Sequence, residues 1–337
     1  MDIDIAKKAI DQAVSYNNAA IPTKVYWHGA EPLLAGIDFY TDICEWTRAR
    51  YGIDAVQHHI QTNGTLLNEE WFDLFIQEHI TTGVSLDGPR EIHDANRRMR
   101  SGKGTFDLIF ENIMLARKKK LFFDVLAVIT RATLGHEDDF FDFFYDNRID
   151  FGFEPIVPED QFMASDLAIE PHEFAEFTIR IFDKWFDQPE RRLRLVTPPY
   201  HFLMGILQGR NTTCHFSSCC ANHYIAISPN GDAHSCIMFA RHPNLSFGNI
   251  RQQCLADILA ASSRKRFLWE RASQIPKCQS CKWLEACQGG CPHRAFVRDG
   301  NVLQPDMFCE AYKTIFDHVF ERACKTLPTL DKQPVPL

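Results

Sequence analysis

Val25-Tyr26-Trp27-His28-Gly29-Ala30-Glu31-Pro32 runs a short apolar, strand-forming stretch directly into a glycine turn closed by a proline. Glycine lets the backbone approach a ligand closely. Glu31 can accept from an ammonium group, and Pro32 stiffens the turn or opens a following helix. The layout recurs further on: Thr62-Asn63-Gly64 follows an expected strand at Val56–Gln61, and Asp87-Gly88-Pro89 follows one at Thr82–Leu86. Between them the spacing predicts a helix over Ile37–Arg50 and another from an Asn68 N-cap to His79, with Glu69 and Glu70 in its first turn. The alternation continues with helix Thr105–Lys119, strand Phe123–Ile129, helix Glu137–Asn147, strand Phe151–Ile156 and helix Pro171–Phe186. Ahead of it, Ala6, Ala9, Ile10, Ala13 and Val14 stand at helical spacing. Repeated strand–helix alternation implies an α/β fold, a parallel sheet with helices outside. The informative residues gather just after strands, which favours a full or partial β/α barrel over a doubly wound sheet, because barrel enzymes carry their chemistry at that end.

Pro198-Pro199 marks a change of style to short strands, turns and cysteines. Tyr224–Ser228, the turn Pro229-Asn230-Gly231-Asp232 and Ala233–Cys236 read as a hairpin. Helices are expected over Leu255–Arg266 and Glu310–Leu327. The expected organisation is therefore a barrel domain over 1–197, a small cysteine-rich domain over 198–327 and a frayed tail over 328–337. Of 337 residues 45% are apolar and 24% charged, as in an ordinary soluble protein. A formal net charge of −8 argues against general nucleic-acid binding, which depends on a basic face. The short runs Arg97-Arg98-Met99-Arg100 and Lys118-Lys119-Lys120 read as solvated loop or helix ends. No apolar run approaches the ~18 residues that span a bilayer, and the acidic start Met1-Asp2-Ile3-Asp4-Ile5 is unlike a signal peptide. The expectation is a cytoplasmic protein with neither nucleic acid nor membrane as partner. In that compartment clustered cysteines act as metal ligands or redox thiols far more often than as disulfides.

Eight of the twelve cysteines fall into one pattern from residue 214 onward: Cys214, Cys220 and Cys236, then Cys278-x2-Cys281-x5-Cys287-x3-Cys291, then Cys309. Eight thiolates suffice for two four-iron clusters at four ligands each. Zinc also uses Cys-x2-Cys pairs, so spacing alone leaves iron–sulfur and zinc open, with disulfides the weakest alternative. Cys44, Cys254 and Cys324 sit in helical patterns and read as core thiols.

Taken together these segments resemble the radical S-adenosylmethionine (SAM) enzymes with a C-terminal SPASM domain, in particular the anaerobic sulfatase-maturating enzymes and related peptide- and protein-modifying maturases. The resembling stretches are Trp27–Leu34, Gln61–Leu67, Gly83–Pro89, Ile92-His93-Asp94, Gly102–Asp107 and the cysteine pattern ending in Phe308-Cys309-Glu310-Ala311-Tyr312-Lys313. The Cys278 to Cys309 spacing is the most specific and shifts the balance from zinc to iron–sulfur. The resemblance implies a partial (β/α) barrel that binds SAM, followed by a domain holding two auxiliary 4Fe-4S clusters. By position, Cys214, Cys220, Cys236 and Cys291 would ligate the first cluster, and Cys278, Cys281, Cys287 and Cys309 the second. Cys219 adjoins Cys220 and competes with it as a ligand. Gly29, Ala30, Glu31 and Pro32 would receive the amino group of SAM, with Ala30 standing where the family has a second glycine. Asn63, Ser85 and Asp87, at strand ends of the same mouth, are candidate cofactor or substrate contacts, and turn or cap chemistry explains them equally well. The implied partners are a peptide or protein substrate and an electron donor such as flavodoxin or ferredoxin.

Two departures qualify the resemblance. The family's Cys-x3-Cys-x2-Cys loop, which holds the SAM-cleaving cluster, is not among these residues, where the first cysteine is Cys44. The expectation is an N-terminally truncated barrel inactive by itself, and a non-catalytic iron–sulfur protein that transfers electrons or binds a peptide is the alternative function. Second, sulfatase-maturating relatives carry an aspartate base directly after the third auxiliary cysteine, where this chain has Ile237. An isoleucine cannot accept a proton, which argues against formylglycine formation and toward another side-chain modification, such as a crosslink.

Overall fold

The computed structural model describes residues 1–17, 21–159, 165–209, 213–217, 220–261 and 271–326. Its main sheet has six strands, β1 (Thr23–Trp27), β2 (Val56–Thr62), β3 (Thr81–Ser85), β4 (Phe123–Ile129), β5 (Phe151–Pro155) and β6 (Val196–Thr197). They lie side by side in chain order, and β1–β2, β2–β3 and β5–β6 pair in parallel. A doubly wound sheet reverses its strand order at a switch point; this sheet never does, as a barrel wall requires. The helices between strands are α1 (Ile3–Tyr16), α2 (Ile37–Tyr51), α3 (Glu69–Gln77), α4 (Arg90–Asn96), α5 (Phe106–Lys118), α6 (Glu137–Asn147) and α7 (Pro171–Phe186). Then come α8 (Pro199–Gln208), α9 (Cys220–His223), α10 (Leu255–Ala260), α11 (Pro276–Gln279), α12 (Leu284–Cys287), α13 (Pro292–Asp299) and α14 (Cys309–Thr326). A small antiparallel sheet joins β7 (Ala226–Ile227), β8 (Asp232–His234) and β9 (Gly248–Asn249).

The chain divides into two compact units. One comprises 1–86, 97–125 and 223–265, the other 87–96, 126–222 and 266–337. In the first unit, Ala6, Ile10 and Val14 form one stripe of α1, packed with Ile43 and Val56 and flanked by Val25 and Trp27. Strand β2 alternates: Val56, His58, Ile60 and Thr62 are buried, while Gln57, His59 and Gln61 face the other side and are more open. A doubly wound sheet buries both faces and loses that alternation, so the polar face fits the inside of a barrel. In the second unit phenylalanines carry the core. Phe140, Phe144, Phe151, Phe153 and Phe177 pack ring against ring, with Phe144 and Phe151 stacked at 4.2 Å. Helix α14 lies on α7 and α8, where Phe308 meets Phe174 at 5.3 Å and Phe316 meets Phe202 at 4.8 Å.

Several expected elements match the structure closely, among them β4, α6 and α7. The Asn68 cap is present, its Oδ1 accepting from Trp71 N at 3.1 Å. Helices α4, α8, α9, α11, α12 and α13 were not legible. Helix α4 is seven residues long and buries only Ile92 and His93, too little for a periodic signal. Helix α8 begins at the Pro199 taken for a break, because proline fits the first turn of a helix. The helix expected over Leu255–Arg266 ends at Ala260, and its remainder from 262 lies outside the described residues, as does Cys219. Among the described residues no helix is long and apolar enough to cross a membrane.

Candidate functional site

At the end of β1 the chain turns through Gly29 at φ +103° and Ala30 at φ +50°. Both values are left-handed, comfortable for glycine and costing an alanine on the order of 1–2 kcal/mol. A Cβ on Gly29 would lie 3.3 Å from Ile237 Cδ1, so Ile237 is seated directly on the turn. Glu31 then caps a single helical turn, Pro32–Ala35, its Oε1 accepting from Leu33 N at 3.0 Å. The same oxygen accepts from Thr62 Oγ1 at 2.7 Å, and Oε2 accepts from Asn63 N at 2.7 Å. One carboxylate therefore ties the end of β1 to the end of β2, and Oε2 keeps capacity for one further donor.

The remaining mouth residues differ in what they offer. Asn63 Oδ1 closes an Asx turn, accepting from Thr65 N at 2.9 Å and Thr65 Oγ1 at 2.7 Å. Ser85 is half-buried at the last position of β3. Asp87 belongs to the second unit and is buried, its Oδ1 accepting from Val128 N at 2.9 Å and its own N–H donating to His93 Nδ1 at 3.1 Å. That inward role makes Asp87 a brace within its unit. His28, beside the glycine turn, has its imidazole held below the ordinary range by desolvation.

In the second unit Cys278, Cys281, Cys287 and Cys309 line one cavity. Helix α11, started by Pro276, carries Cys278, and Cys281 N donates back to Cys278 O at 3.0 Å, so the Cys-x2-Cys pair sits on one turn. Helix α12 delivers Cys287 at its last residue, and Cys309 opens α14. Burial is the largest influence on Cys278, Cys287 and Cys309 and raises all three thiols; Lys313 and Lys277 oppose it at Cys309. Buried neutral thiols release their protons when a metal takes the sulfurs. Four converging thiols therefore fit an iron–sulfur cluster, and none of the described cysteines is in a disulfide. Cys291 heads α13 with its thiol raised by burial. Cys220 opens α9, Cys214 is exposed, and Cys236 lies in the first unit just before the turn Ile237–Arg241. Cys44 is the core thiol expected, pushed up to about 12 by burial. Cys254 is not: it is exposed at the start of α10, its Sγ donating to Asp257 Oδ2 at 3.0 Å.

Residues that the sequence did not single out hold the cysteine segment. Gln288, Gly289 and Gly290 are consecutively left-handed, at φ +51°, +80° and +71°, and swing the chain from Cys287 to Cys291. A Cβ on Gly290 would sit 2.4 Å from Asp306 Cβ, so only glycine fits. Asp306 is fully buried; Oδ2 accepts from Cys291 N at 2.7 Å and Tyr312 OH at 3.2 Å, and Oδ1 from Phe308 N at 2.8 Å. Arg294 donates to Tyr312 OH at 2.6 Å and to Glu154 Oε2 at 2.5 Å. Arg271 donates to the carbonyls of Val302, Gln304, Gly289 and Gly290 at 2.6–2.9 Å. Arg271 follows Phe267-Leu268-Trp269-Glu270, a context that gives no sequence signal for such a role.

Comparison with known proteins places this geometry in a family. A model of the radical SAM superfamily matches residues 4–144, and one of the iron–sulfur cluster-binding SPASM domain matches residues 219–282. The chain belongs to the radical SAM proteins that carry a SPASM domain. Within that class it is similar to the anaerobic sulfatase-maturating enzymes. The cysteine-type enzyme of Clostridium novyi (strain NT) is 26% identical over 341 residues, covering 98% of this chain and 88% of that protein. The serine-type enzyme of Bacteroides thetaiotaomicron is 28% identical over 342 residues, covering 95% and 81%. Among solved structures, native anSMEcpe with bound AdoMet and Kp18Cys peptide superposes with a TM-score of 0.85 at 24% identity, covering 98% of this chain and 91% of that one. Streptococcus suis SuiB bound to S-adenosylmethionine gives 0.65 at 16% identity, covering 92% and 70%. The structural likenesses establish the shared fold.

Proposed function

We propose that this protein is a maturase that modifies a side chain of a ribosomal peptide or protein, and that the modification is not formylglycine formation. The observation that carries the second half is Ile237. It packs on Gly29 of the glycine turn, at the position where sulfatase-maturating relatives place an aspartate base. An aliphatic wall there cannot take a proton from a substrate thiol or hydroxyl. A carbon–carbon or carbon–heteroatom crosslink, for which that base is not required at this position, fits the wall better.

In this reading the 1–197 portion is the SAM-binding barrel and 198–327 the auxiliary-cluster domain. Gly29, Ala30, Glu31 and Pro32 receive the amino group of SAM, with Asn63 and Ser85 as further contacts at the mouth. Cys214, Cys220, Cys236 and Cys291 ligate one 4Fe-4S cluster, and Cys278, Cys281, Cys287 and Cys309 the other. When bound, the clusters supply one-electron transfer and SAM supplies the hydrogen-abstracting equivalent. What the chain itself contributes is a turn fixed by Glu31, thiols gathered at one cavity, and an apolar contact over the cofactor loop. A flavodoxin or ferredoxin is the electron donor.

The test is an anaerobic reconstitution of the gene's full product followed by SAM, reductant and two probes: a sulfatase-derived cysteine peptide and its serine counterpart. We expect about eight irons per chain on the two four-thiolate sets and about four more on the cluster that cleaves SAM, deoxyadenosine release from SAM, and no aldehyde on either probe. An aldehyde on either peptide refutes the assignment against formylglycine. Zinc in place of iron refutes the cluster reading. Iron without deoxyadenosine release points instead to an electron-transfer or peptide-binding protein.

A further inference from the structure

The structure assigns to Arg271 the role of a buried counter-charge for the auxiliary iron–sulfur clusters, set between the segments that carry Cys278, Cys287 and Cys291. This rests on the cluster reading above and goes beyond it to a residue outside the ligand sets. Arg271 is 4% exposed. Its Nη1 donates to Val302 O at 2.9 Å and Gln304 O at 2.7 Å, and its Nη2 to Gly289 O at 2.6 Å and Gly290 O at 2.7 Å. Those carbonyls satisfy four of the five N–H groups of a guanidinium, but they are neutral acceptors and leave its charge in place. Among the described residues Arg271 makes no ion pair. Nearby Arg294 is served by Glu154, and Asp306 spends its oxygens on Cys291 N, Phe308 N and Tyr312 OH.

A fully buried arginine without a paired anion is rare, because desolvating the charge is costly unless something opposes it. The Asp306 carboxylate acts on it without a direct contact and is shared with Arg294 at 4.0 Å, and the ligand thiols lie adjacent in the chain. Gly289 and Gly290, held by Nη2, join Cys287 of one ligand set to Cys291 of the other, and Gly289 also lines the four-cysteine cavity. Cys291, Asp306, Cys220 and Cys278 all act electrostatically on the guanidinium, Cys291 first among them. A thiolate-ligated cluster is net negative, more so when reduced, and cluster potential responds to local charge and burial. A fixed cation therefore favours the reduced form and eases electron acceptance. The fork geometry of arginine adds a second effect, fixing the turn that sets how far apart the two ligand sets lie.

Arg271→Gln and Arg271→Lys separate charge from shape. Each is reconstituted anaerobically in the full protein, with iron and sulfide content, folding by circular dichroism, and midpoint potentials by EPR-monitored titration as readouts. Arg271→Gln is expected to shift the auxiliary potentials to more negative values or to lose the iron. Arg271→Lys is expected to load iron and stay near the wild-type potential. Wild-type potentials in a loaded Arg271→Gln protein overturn the proposal. So does loss of iron from both variants, which would mean that only the guanidinium's shape matters. A wild-type protein that takes up no iron overturns the cluster reading itself, a separately visible failure.

Discussion

The glycine loop at the barrel mouth and the cysteine cavity of the second unit handle polar groups in opposite ways. Around Glu31 every contact closes locally: one carboxylate meets Leu33 N, Thr62 Oγ1 and Asn63 N. Around Cys287 the groups stay unbalanced, with thiols raised by burial and a guanidinium that meets carbonyls and, among the described residues, makes no ion pair. The difference teaches what each region must do. A loop that admits and releases a small molecule has to hold its shape when empty. A region that keeps a permanent cofactor can be completed by it, so that ligand binding becomes part of folding.

The largest effect that would break this comparison is removal of iron. Protein prepared without iron should lose order in the 271–309 segment while 1–86 persists, seen as early proteolytic cuts confined to the former. A ligand held at a thousand times its Kd adds about 4 kcal/mol, on the order of 10 °C in unfolding midpoint for a domain of this size. Equal protease resistance with and without iron would show that the cavity needs no ligand to form. Next comes Glu31→Gln, which leaves at least one of the three donors without an acceptor. Equilibrium unfolding should show a loss of about 1–3 kcal/mol, and a neutral result would mean that the loop is braced by other contacts. Smallest is Ala30→Gly. Relief of the left-handed alanine should add about 1 kcal/mol, reduced by the greater freedom of glycine in the unfolded chain; a destabilised variant would show that the Ala30 methyl makes a contact worth more than the strain.

Much of this was legible in the sequence, for identifiable reasons. Strand β4 and helices α6 and α7 have strong periodicity and clear flanks, and they match the expected ranges. Gly29, Glu31 and the Cys278 to Cys309 spacing announce themselves because their chemistry requires particular residue types at fixed intervals. Arg271, Asp306 and Arg294 did not: Arg271 acts on carbonyls that any sequence would supply, Asp306 on two backbone N–H groups and the Tyr312 hydroxyl, and Arg294 on side chains 18 and 140 residues away. Asp87 stands between two readings of its position after a strand, a ligand contact or turn chemistry; its Oδ1 accepts from Val128 N and its N–H donates to His93 Nδ1. Cys254 was taken for a core thiol from its helical neighbours, but it stands at the helix start, where the side chain points out to Asp257.

The left-handed turn Gln288-Gly289-Gly290 has a bearing on how such proteins diverge. With Asp306 pressed against Gly290 and Arg271 holding the adjoining carbonyls, the connection between Cys287 and Cys291 can neither lengthen by a residue nor gain a β-carbon at its last position without displacing a ligand. Divergence at this turn would act on Cys291 through Asp306, which holds its N–H, whereas Ile237 and Ala30 lie outside that contact.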